Sequence, residues 1–213
     1  TLTMLIFLHI DKVFSTPLEF KVELFPRAVR KPHIFTYLVT LNLRDYNGSV
    51  KLEFFLEKNG EKPWSSTQEV EVRPGEVKSI RGVFSLSDAD PPGVYRFRVL
   101  VSLGEARLEN ISAIYVAPSE EDIERILKEY IDLRASLRDT APREPRLTAQ
   151  LELTGETIRE LIAAYNEGNI TLSAIKYDEA VSRLEGLKAL VAETRGELFI
   201  FRLLYALDNF LSY

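Results

Sequence analysis

The sequence predicts an α+β protein whose strands come first, over residues 1–118, and whose helices follow, over residues 119–213. Up to about Pro118, apolar and polar residues alternate with a period of two, which is typical of strands that bury one face and expose the other. From Ser119 onward, apolar residues recur at helical spacing. Net charge changes at the same point, because residues 1–118 hold 15 basic and 14 acidic residues and residues 119–213 hold 12 and 18, which together give the net −5 of the chain.

Alternation predicts seven strands, separated by turn signals such as Asn47-Gly48, Asn59-Gly60 and Pro74-Gly75. The predicted strands are 18–24, 35–43, 50–56, 67–72, 77–86, 95–103 and 107–116. Seven short strands with no helical pattern between them predict an antiparallel β-sandwich. The apolar segment 2–10 has two interpretations, a buried first strand or the remnant of a signal or membrane segment. Residues 62–66 are interpreted as a turn.

Three amphipathic helices are predicted after Pro118. The first begins with a cap at Ser119, the second carries a stripe from Leu147 to Tyr165, and the third starts near Leu172. Past Gly196, the third helix either continues to Leu211 or kinks. Short connections between the helices predict an α-helical bundle or a coiled-coil hairpin. The apolar tail from Leu198 is expected to pack on a partner or on the bundle.

Composition excludes several functional classes. The absence of Cys excludes disulfides, a thiolate nucleophile and Cys-ligated metal sites. The two histidines, His9 and His33, are isolated from each other and from any acidic triplet at metal-ligand spacing. A net charge of −5 argues against general nucleic-acid binding. Few Gln and Met residues beside many charged ones favour a thermophilic source. We therefore expect no catalytic residues, no metal ligands, no cofactor and no enzymatic activity.

Two acidic clusters have a structural and a functional interpretation. Glu120-Glu121-Asp122 either starts the first helix or binds calcium weakly, and Asp88 with Asp90 either solvates a loop or does the same. Capping and loop solvation explain both clusters better than calcium does.

Three segments carry a resemblance to a known class of domain. They are Val70–Glu76 with its Pro-Gly-Glu turn, Val83–Leu86, and Pro92–Val99 with its Pro-Gly-x-Tyr motif. This series resembles the latter half of bacterial and archaeal Ig-like cell-surface modules, such as CARDB-like and S-layer-associated domains. The resemblance implies an Ig-like form of the sandwich. It also implies a non-catalytic spacer or binding unit, sometimes glycosylated.

Four residues of the strand half are singled out as structural or binding candidates. Tyr95, two residues after Gly93, looks like the tyrosine corner of Greek-key sandwiches. Phe97 stands where immunoglobulins place a Cys, so core packing is expected to replace the disulfide. Trp64, the only Trp, either covers one end of the core or offers its ring to a sugar or a partner.

Asparagine sequons bear on where the protein works. Asn47, Asn110 and Asn169 each begin an Asn-x-Ser/Thr triplet, and Asn47 and Asn169 fall in predicted turns that tolerate a glycan. The expected function is a structural or adhesive module at the cell surface of an archaeal-like envelope, with a protein partner or self-association through the helical half. A glycan ligand and a membrane tether in the full-length chain stay open. The alternatives are a carbohydrate-binding accessory module of a hydrolase and an intracellular helical scaffold.

Overall fold

The computed structural model describes residues 19–30, 33–43, 46–138 and 144–211, with side chains of the last helix described up to Thr194. The segment 2–10 and His9 lie outside the described residues. The described chain is α+β, as the sequence predicts. It forms eight strands and three helices: β1 (Glu19–Phe25), β2 (Ala28–Arg30), β3 (His33–Asn42), β4 (Gly48–Lys58), β5 (Glu61–Val72), β6 (Val77–Leu86), β7 (Gly93–Leu103), β8 (Ala106–Ala117), α1 (Glu120–Ser136), α2 (Pro145–Asn166) and α3 (Ile170–Leu211).

The strands form two sheets, one ordered β1-β3-β6 and the other β2-β8-β7-β4-β5. Strand β1 pairs antiparallel with β3, and β4 pairs antiparallel with β5 and β7. Alternation within each strand buries one side-chain row and exposes the other, as β3 shows over its ten residues. The strand half is therefore built from two-faced strands.

Two local predictions about the strands are wrong. Residues 62–66 are not a turn but part of β5, which begins directly after the Asn59-Gly60 turn. Pro63 is tolerated there because β5 is an edge strand and because Pro63 lies at a register shift, between the Leu56–Trp64 and Lys58–Glu61 pairs. The sheets are also not wholly antiparallel, since β2 pairs with β8 in parallel. Three residues are too few for alternation to reveal β2.

Aromatic rings from both sheets fill the space between them. Tyr37 of β3 lies 4.8 Å from Phe54 of β4, and Phe84 of β6 stacks 5.2 Å from Phe97 of β7, both measured between ring centroids. Phe35 stacks on Phe84 at 5.0 Å within one sheet. These rings are almost fully buried, and each adds specific ring geometry to the hydrophobic gain of burial. The core of the strand half is thus aromatic.

The helices pack along one seam with two apolar clusters. The first joins Ile123 and Ile126 of α1 to Leu161 of α2 and Leu184 of α3, and the second joins Leu137 and Leu147 to Leu187 and Val191. Helix α1 begins at the predicted cap, where Ser119 and Asp122 form a reciprocal capping box. Helix α3 continues through Gly196 to Leu211.

Two compact units divide the chain differently from the change in secondary structure at Pro118. Among the described residues, the first unit holds 19–27, 34–43, 46–85 and 95–113. The second holds 28–30, 33, 86–94, 114–138 and 144–211. The helices therefore share their unit with β2, with the end of β8 and with the loop before β7.

Candidate functional site

Helix α3 is much longer than the helices that pack against it. It has 42 residues, whereas α2 has 22 and α1 has 17. Helix α2 runs against α3 so that Glu160 pairs with Lys176 at 2.6 Å, and Leu147 near the start of α2 shares a cluster with Leu187 and Val191. Among the described side chains, the contacts of α3 with α1 and α2 extend as far as Val191.

The remainder of α3, residues 195–211, is called the α3 extension below. Its 17 residues span about 26 Å at 1.5 Å per residue. Eleven of the fifteen residues 197–211 are apolar, and the four others are Glu197, Arg202, Asp208 and Asn209. A helix that is apolar on most sides is normally buried. The α3 extension is thus the candidate docking element of this chain.

Helical spacing places the four polar residues of 197–211 away from one side of the extension, whereas the opposite side mixes them with Leu198, Phe201 and Tyr205. At 100° per residue, positions 196, 203 and 210 fall on one line, with 199, 200, 206 and 207 beside it; these positions are called the extension face below. Arg202 and Asn209 fall well away from that line. The apolar character of the extension face begins at Gly196, whereas upstream positions on the same side, such as Glu185 and Ala192, are exposed.

At the other end of the bundle, α3 is tied to strand segments of the same compact unit. The Val94 backbone N–H donates to Asp178 Oδ2 at 2.7 Å, and the Arg30 guanidinium lies 5.6 Å from the centre of the Tyr165 ring. Gly93, just before Val94, has a φ of 120°, which glycine adopts without strain. Sequence reasoning selected Gly93 but missed Asp178, whose role depends on a contact 84 positions away.

Charged side chains on α3 form ion pairs that stabilise the bundle. Lys176 donates hydrogen bonds to Glu160 and Glu179, which raise the pKa of its ammonium group. Lys188 is paired with Glu129 of α1 and with Glu185, and its pKa is raised for the same reason. The Glu179 pKa is lowered by its hydrogen bonds from Lys176 and Arg183. These charges have partners within the bundle and need no ligand to explain them.

A polar chain links α1 to α3 near the start of the bundle. Arg125 Nη2 donates to Asp122 Oδ1 at 3.0 Å and to the Tyr177 hydroxyl at 2.8 Å. Burial raises the pKa of Tyr177 above its ordinary value. Asp122 also accepts from the Ser119 backbone and hydroxyl, so its carboxylate serves the capping box.

The second acidic cluster contains a turn that the Asp90 carboxylate stabilises, much as the Asp122 carboxylate stabilises the start of α1. Asp90 Oδ2 accepts from the Ser87 backbone N–H at 2.7 Å and from its hydroxyl at 2.8 Å. Among the residues whose placement the structure describes, no three His, Asp or Glu side chains form a group that could hold a metal ion. Both predicted acidic clusters thus have a local structural use.

Trp64 lies on β5 and not on a loop. Its ring is 5.2 Å from Phe84, 6.1 Å from Tyr37 and 6.3 Å from Phe97, centroid to centroid. These contacts favour the core-covering interpretation, since the ring already packs against both sheets. Phe97 is buried among the same rings.

Tyr95 lies on β7 and is fully buried. The Lys58 ammonium lies 5.1 Å from the centre of its ring, a distance at which a cation interacts favourably with an aromatic face. The tyrosine-corner interpretation of Tyr95 remains a prediction.

The three sequon asparagines occupy different settings. Asn47 is exposed before β4, and Asn110 is half-buried within β8, where its Oδ1 accepts from Ser112 Oγ at 3.4 Å. Asn169 is exposed before α3, and its Oδ1 accepts from the Leu172 N–H at 3.0 Å. A glycan on Nδ2 of Asn169 would leave this Oδ1 interaction in place. The settings of Asn47 and Asn169 are compatible with glycan attachment.

The outer face of the three-stranded sheet exposes a small apolar patch. Phe25, Ile34 and Val83 are 79%, 66% and 61% exposed. Phe25 is directly opposite Thr36, two residues from Ile34.

No family model and no curated protein sequence matches this chain. Among solved structures, it is similar to a glycosyl hydrolase family 2 member from Bacteroides cellulosilyticus, with 17% identity and a TM-score of 0.38 over 46% of this chain and 14% of that one. It is also similar to Spo0M, a sporulation control protein from Bacillus subtilis, with 17% identity and a TM-score of 0.38 over 55% of each chain.

A third similar structure is the Pseudomonas fluorescens alkylpurine DNA glycosylase AlkC, with 15% identity and a TM-score of 0.37 over 46% of this chain and 30% of that one. The chain thus spans about a seventh of the hydrolase and less than a third of the glycosylase. At these identities and TM-scores, none of the three assigns a family or an activity to it. Within the described part of the chain, no helix has a stretch that is long and apolar enough to cross a membrane.

Proposed function

We propose that this protein is a non-enzymatic structural or adhesive module of a cell-envelope protein from a thermophile. In this proposal the strand half serves as a spacer or recognition surface, and the helical half docks a protein partner or a second copy. The α3 extension is the observation that carries the proposal. Among the residues that the structure describes, the charged side chains of the bundle discussed above are paired with one another.

The order of the strands supports an Ig-like form of the sandwich. In Ig domains, strands A, B and E share one sheet, and strands C, F and G share the other. Here β1, β3 and β6 share one sheet, while β4, β7 and β8 are adjacent in the other. Strand β5 lies beside β4, where variable-type Ig domains add their C′ strand.

The α3 extension supports a docking role because it combines reach with apolar composition. Its backbone continues as a helix for about 26 Å past Thr194, the last residue of α3 whose side chain is described. Burial of an apolar helix of this length against a partner removes apolar surface from solvent and so favours association. Docking of an apolar helix face into an apolar groove is a common mode of recognition.

A matched pair of substitutions tests the docking role. Leu207→Glu places a charge on the extension face, and Asn209→Glu places the same charge away from that face, at a position that is already polar. We expect Leu207→Glu to abolish self-association in sedimentation velocity, or the binding of an apolar dye if the chain is monomeric. Asn209→Glu should change neither. The docking role is contradicted if the unmodified chain is monomeric, binds no dye and is indifferent to Leu207→Glu.

The sequons support an extracytoplasmic location. Asn47 and Asn169 are exposed, as glycan acceptors must be. We expect the intact mass of protein from its native cells to exceed the sequence mass by whole hexose increments, and Asn47→Gln with Asn169→Gln to remove the excess. A native mass equal to that of the sequence contradicts glycosylation and leaves the docking role unaffected.

A further inference from the structure

We propose that Asn47 deamidates spontaneously in the folded protein, whereas Asn59 is protected by the turn in which it lies. The two Asn-Gly dipeptides of the chain are Asn47-Gly48 and Asn59-Gly60, and both asparagines are exposed. Such a modification of the strand half is independent of the docking role proposed above.

Deamidation at an Asn-Gly dipeptide requires no enzyme and no cofactor. The backbone nitrogen of the glycine loses its proton and bonds to Cγ of the asparagine side chain, and the side-chain nitrogen leaves as ammonia. Water then opens the resulting five-membered succinimide at either carbonyl, which yields aspartate or isoaspartate. Glycine favours the attack because it has no Cβ to hinder it. Both dipeptides meet this sequence requirement, so the backbone conformation decides between them.

The turn at Asn59 holds the two reacting atoms apart. Asn59 and Gly60 form the two-residue loop between β4 and β5, and Lys58 is paired with Glu61 across it. The φ angles of 51° for Asn59 and 85° for Gly60 are typical of a type I′ turn. In the left-handed region ψ is about +47°, which turns the Gly60 nitrogen to the opposite side of the Asn59 Cα–C bond from Cβ. The succinimide cannot close until this turn opens.

The backbone at Asn47 lacks this restraint. Asn47 lies just before β4, outside any strand, and among the described residues other than glycine only Asn59 has a positive φ. Gly48 is the first residue of β4 and lies opposite Val72, and chain segments at the end of an element open more readily than those in its interior. Rotation about the Asn47 Cα–C bond therefore disturbs only the end of one strand pair.

Tyr46 anchors the chain on both sides of the reactive dipeptide. Its hydroxyl donates to the Ser49 carbonyl at 2.9 Å, and its ring lies beside Gly48, where a Cβ would be 3.4 Å from the hydroxyl oxygen. This bridge does not use the Asn47 side chain. We therefore expect the start of β4 to stay in place after Asn47 has deamidated.

Deamidation at Asn47 competes with the glycosylation proposed above. Asn47-Gly48-Ser49 is a sequon, and the Nδ2 atom that leaves as ammonia is the atom that would carry the glycan. A chain that has deamidated at Asn47 can no longer accept a glycan there, and it gains one negative charge. Asn169 is followed by Ile170, whose branched side chain hinders the same attack.

The full chain, produced without glycan in a bacterial host, contains its own control for this proposal. After incubation in mildly alkaline buffer, the peptides that contain Asn47 and Asn59 are compared by mass spectrometry, with isoaspartate identified by electron-transfer fragmentation. Because Asn59 reacts only in molecules whose turn is open, we expect Asn47 to deamidate about tenfold faster. In denaturant the two rates should become equal. Asn47→Gln should remove the fast reaction from the folded chain and leave that of Asn59 unchanged.

Three results would overturn this proposal. Equal rates at the two sites in the folded chain would show that the turn at Asn59 gives no protection. An intact Asn47 in the folded chain, together with rapid deamidation in denaturant, would show that the fold protects Asn47 as well. A rate difference that persists in denaturant would show that the flanking sequence, and not the fold, sets the rates. None of these results bears on the docking role.

Discussion

Two tyrosine side chains pack against glycines, one in the strand half and one in the helical half of the chain. A Cβ on Gly82 of β6 would lie 2.1 Å from the Tyr37 hydroxyl, and a Cβ on Gly155 of α2 would lie 2.4 Å from the Tyr130 hydroxyl. Tyr130 donates from that position to the Leu151 carbonyl at 3.1 Å. Composition and periodicity gave no signal for these contacts, because a glycine inside a strand or helix pattern has several explanations.

Two of the glycines within helices should respond to alanine in opposite directions. A Cβ on Gly186 would lie 4.0 Å from Gln150 Nε2, an ordinary contact, so Gly186→Ala should stabilise the protein by about 0.5–1 kcal/mol, since alanine loses less backbone entropy in a helix. Gly155→Ala should instead destabilise it, because displacing Tyr130 costs about 1–3 kcal/mol. Chemical denaturation of both variants measures the free energies of unfolding. Stabilisation by Gly155→Ala would show that the Tyr130 contact is absent.

At the scale of elements, prediction succeeded where a pattern repeats and failed where an element is short or edge-specific. Seven strands and three helices follow from alternation and helical spacing, and the cap at Ser119 follows from local sequence. Strand β2 was not predicted, because it has only three residues and one parallel partner. The start of β5 was predicted to be a turn, because Pro63 is a turn signal unless the strand is known to be an edge strand.

Because Tyr177 is buried where α3 meets Arg125 of α1, the free energy of unfolding should depend on pH in the alkaline range. Burial raises the pKa of Tyr177 above its ordinary value of 10.0, so its phenol ionises less readily in the folded than in the unfolded state. The contribution of Tyr177 to the free energy of unfolding is present at neutral pH and is lost as pH rises through its folded-state pKa. The free energy of unfolding should therefore fall less steeply between about pH 9 and pH 11 in Tyr177→Phe than in the unmodified chain.

The same variant has a cost at neutral pH that serves as a control. Tyr177→Phe removes the hydrogen bond from Arg125, which should lower the free energy of unfolding by about 0.5–1.5 kcal/mol. Tyr37, whose pKa burial also raises, is unchanged in both proteins and contributes equally. Equal slopes across the alkaline range would contradict the role assigned to Tyr177.

At the scale of the whole molecule, the candidate site was only half predictable. The apolar tail is evident from the sequence, and its packing on a partner or on the bundle stays a prediction. Whether the helix bends at Gly196 did not follow from the sequence, because one glycine is tolerated within a helix. How α2 aligns with α3 is known only from the structure, through the cluster of Leu147, Leu187 and Val191. Trp64 packs against the core rings, as one of its two interpretations expects, and a binding role for it stays a prediction.

Hydrogen exchange of residues 197–211, followed by mass spectrometry over a range of protein concentrations, tests the docking role most directly. Self-association predicts slow exchange at high concentration and exchange that quickens on dilution, while the bundle residues of α1 and α2 stay unchanged. Docking of another partner predicts fast exchange at every concentration. Exchange as slow as that of the bundle in a dilute monomer would mean that the segment is already buried within its own chain, and the account would be wrong.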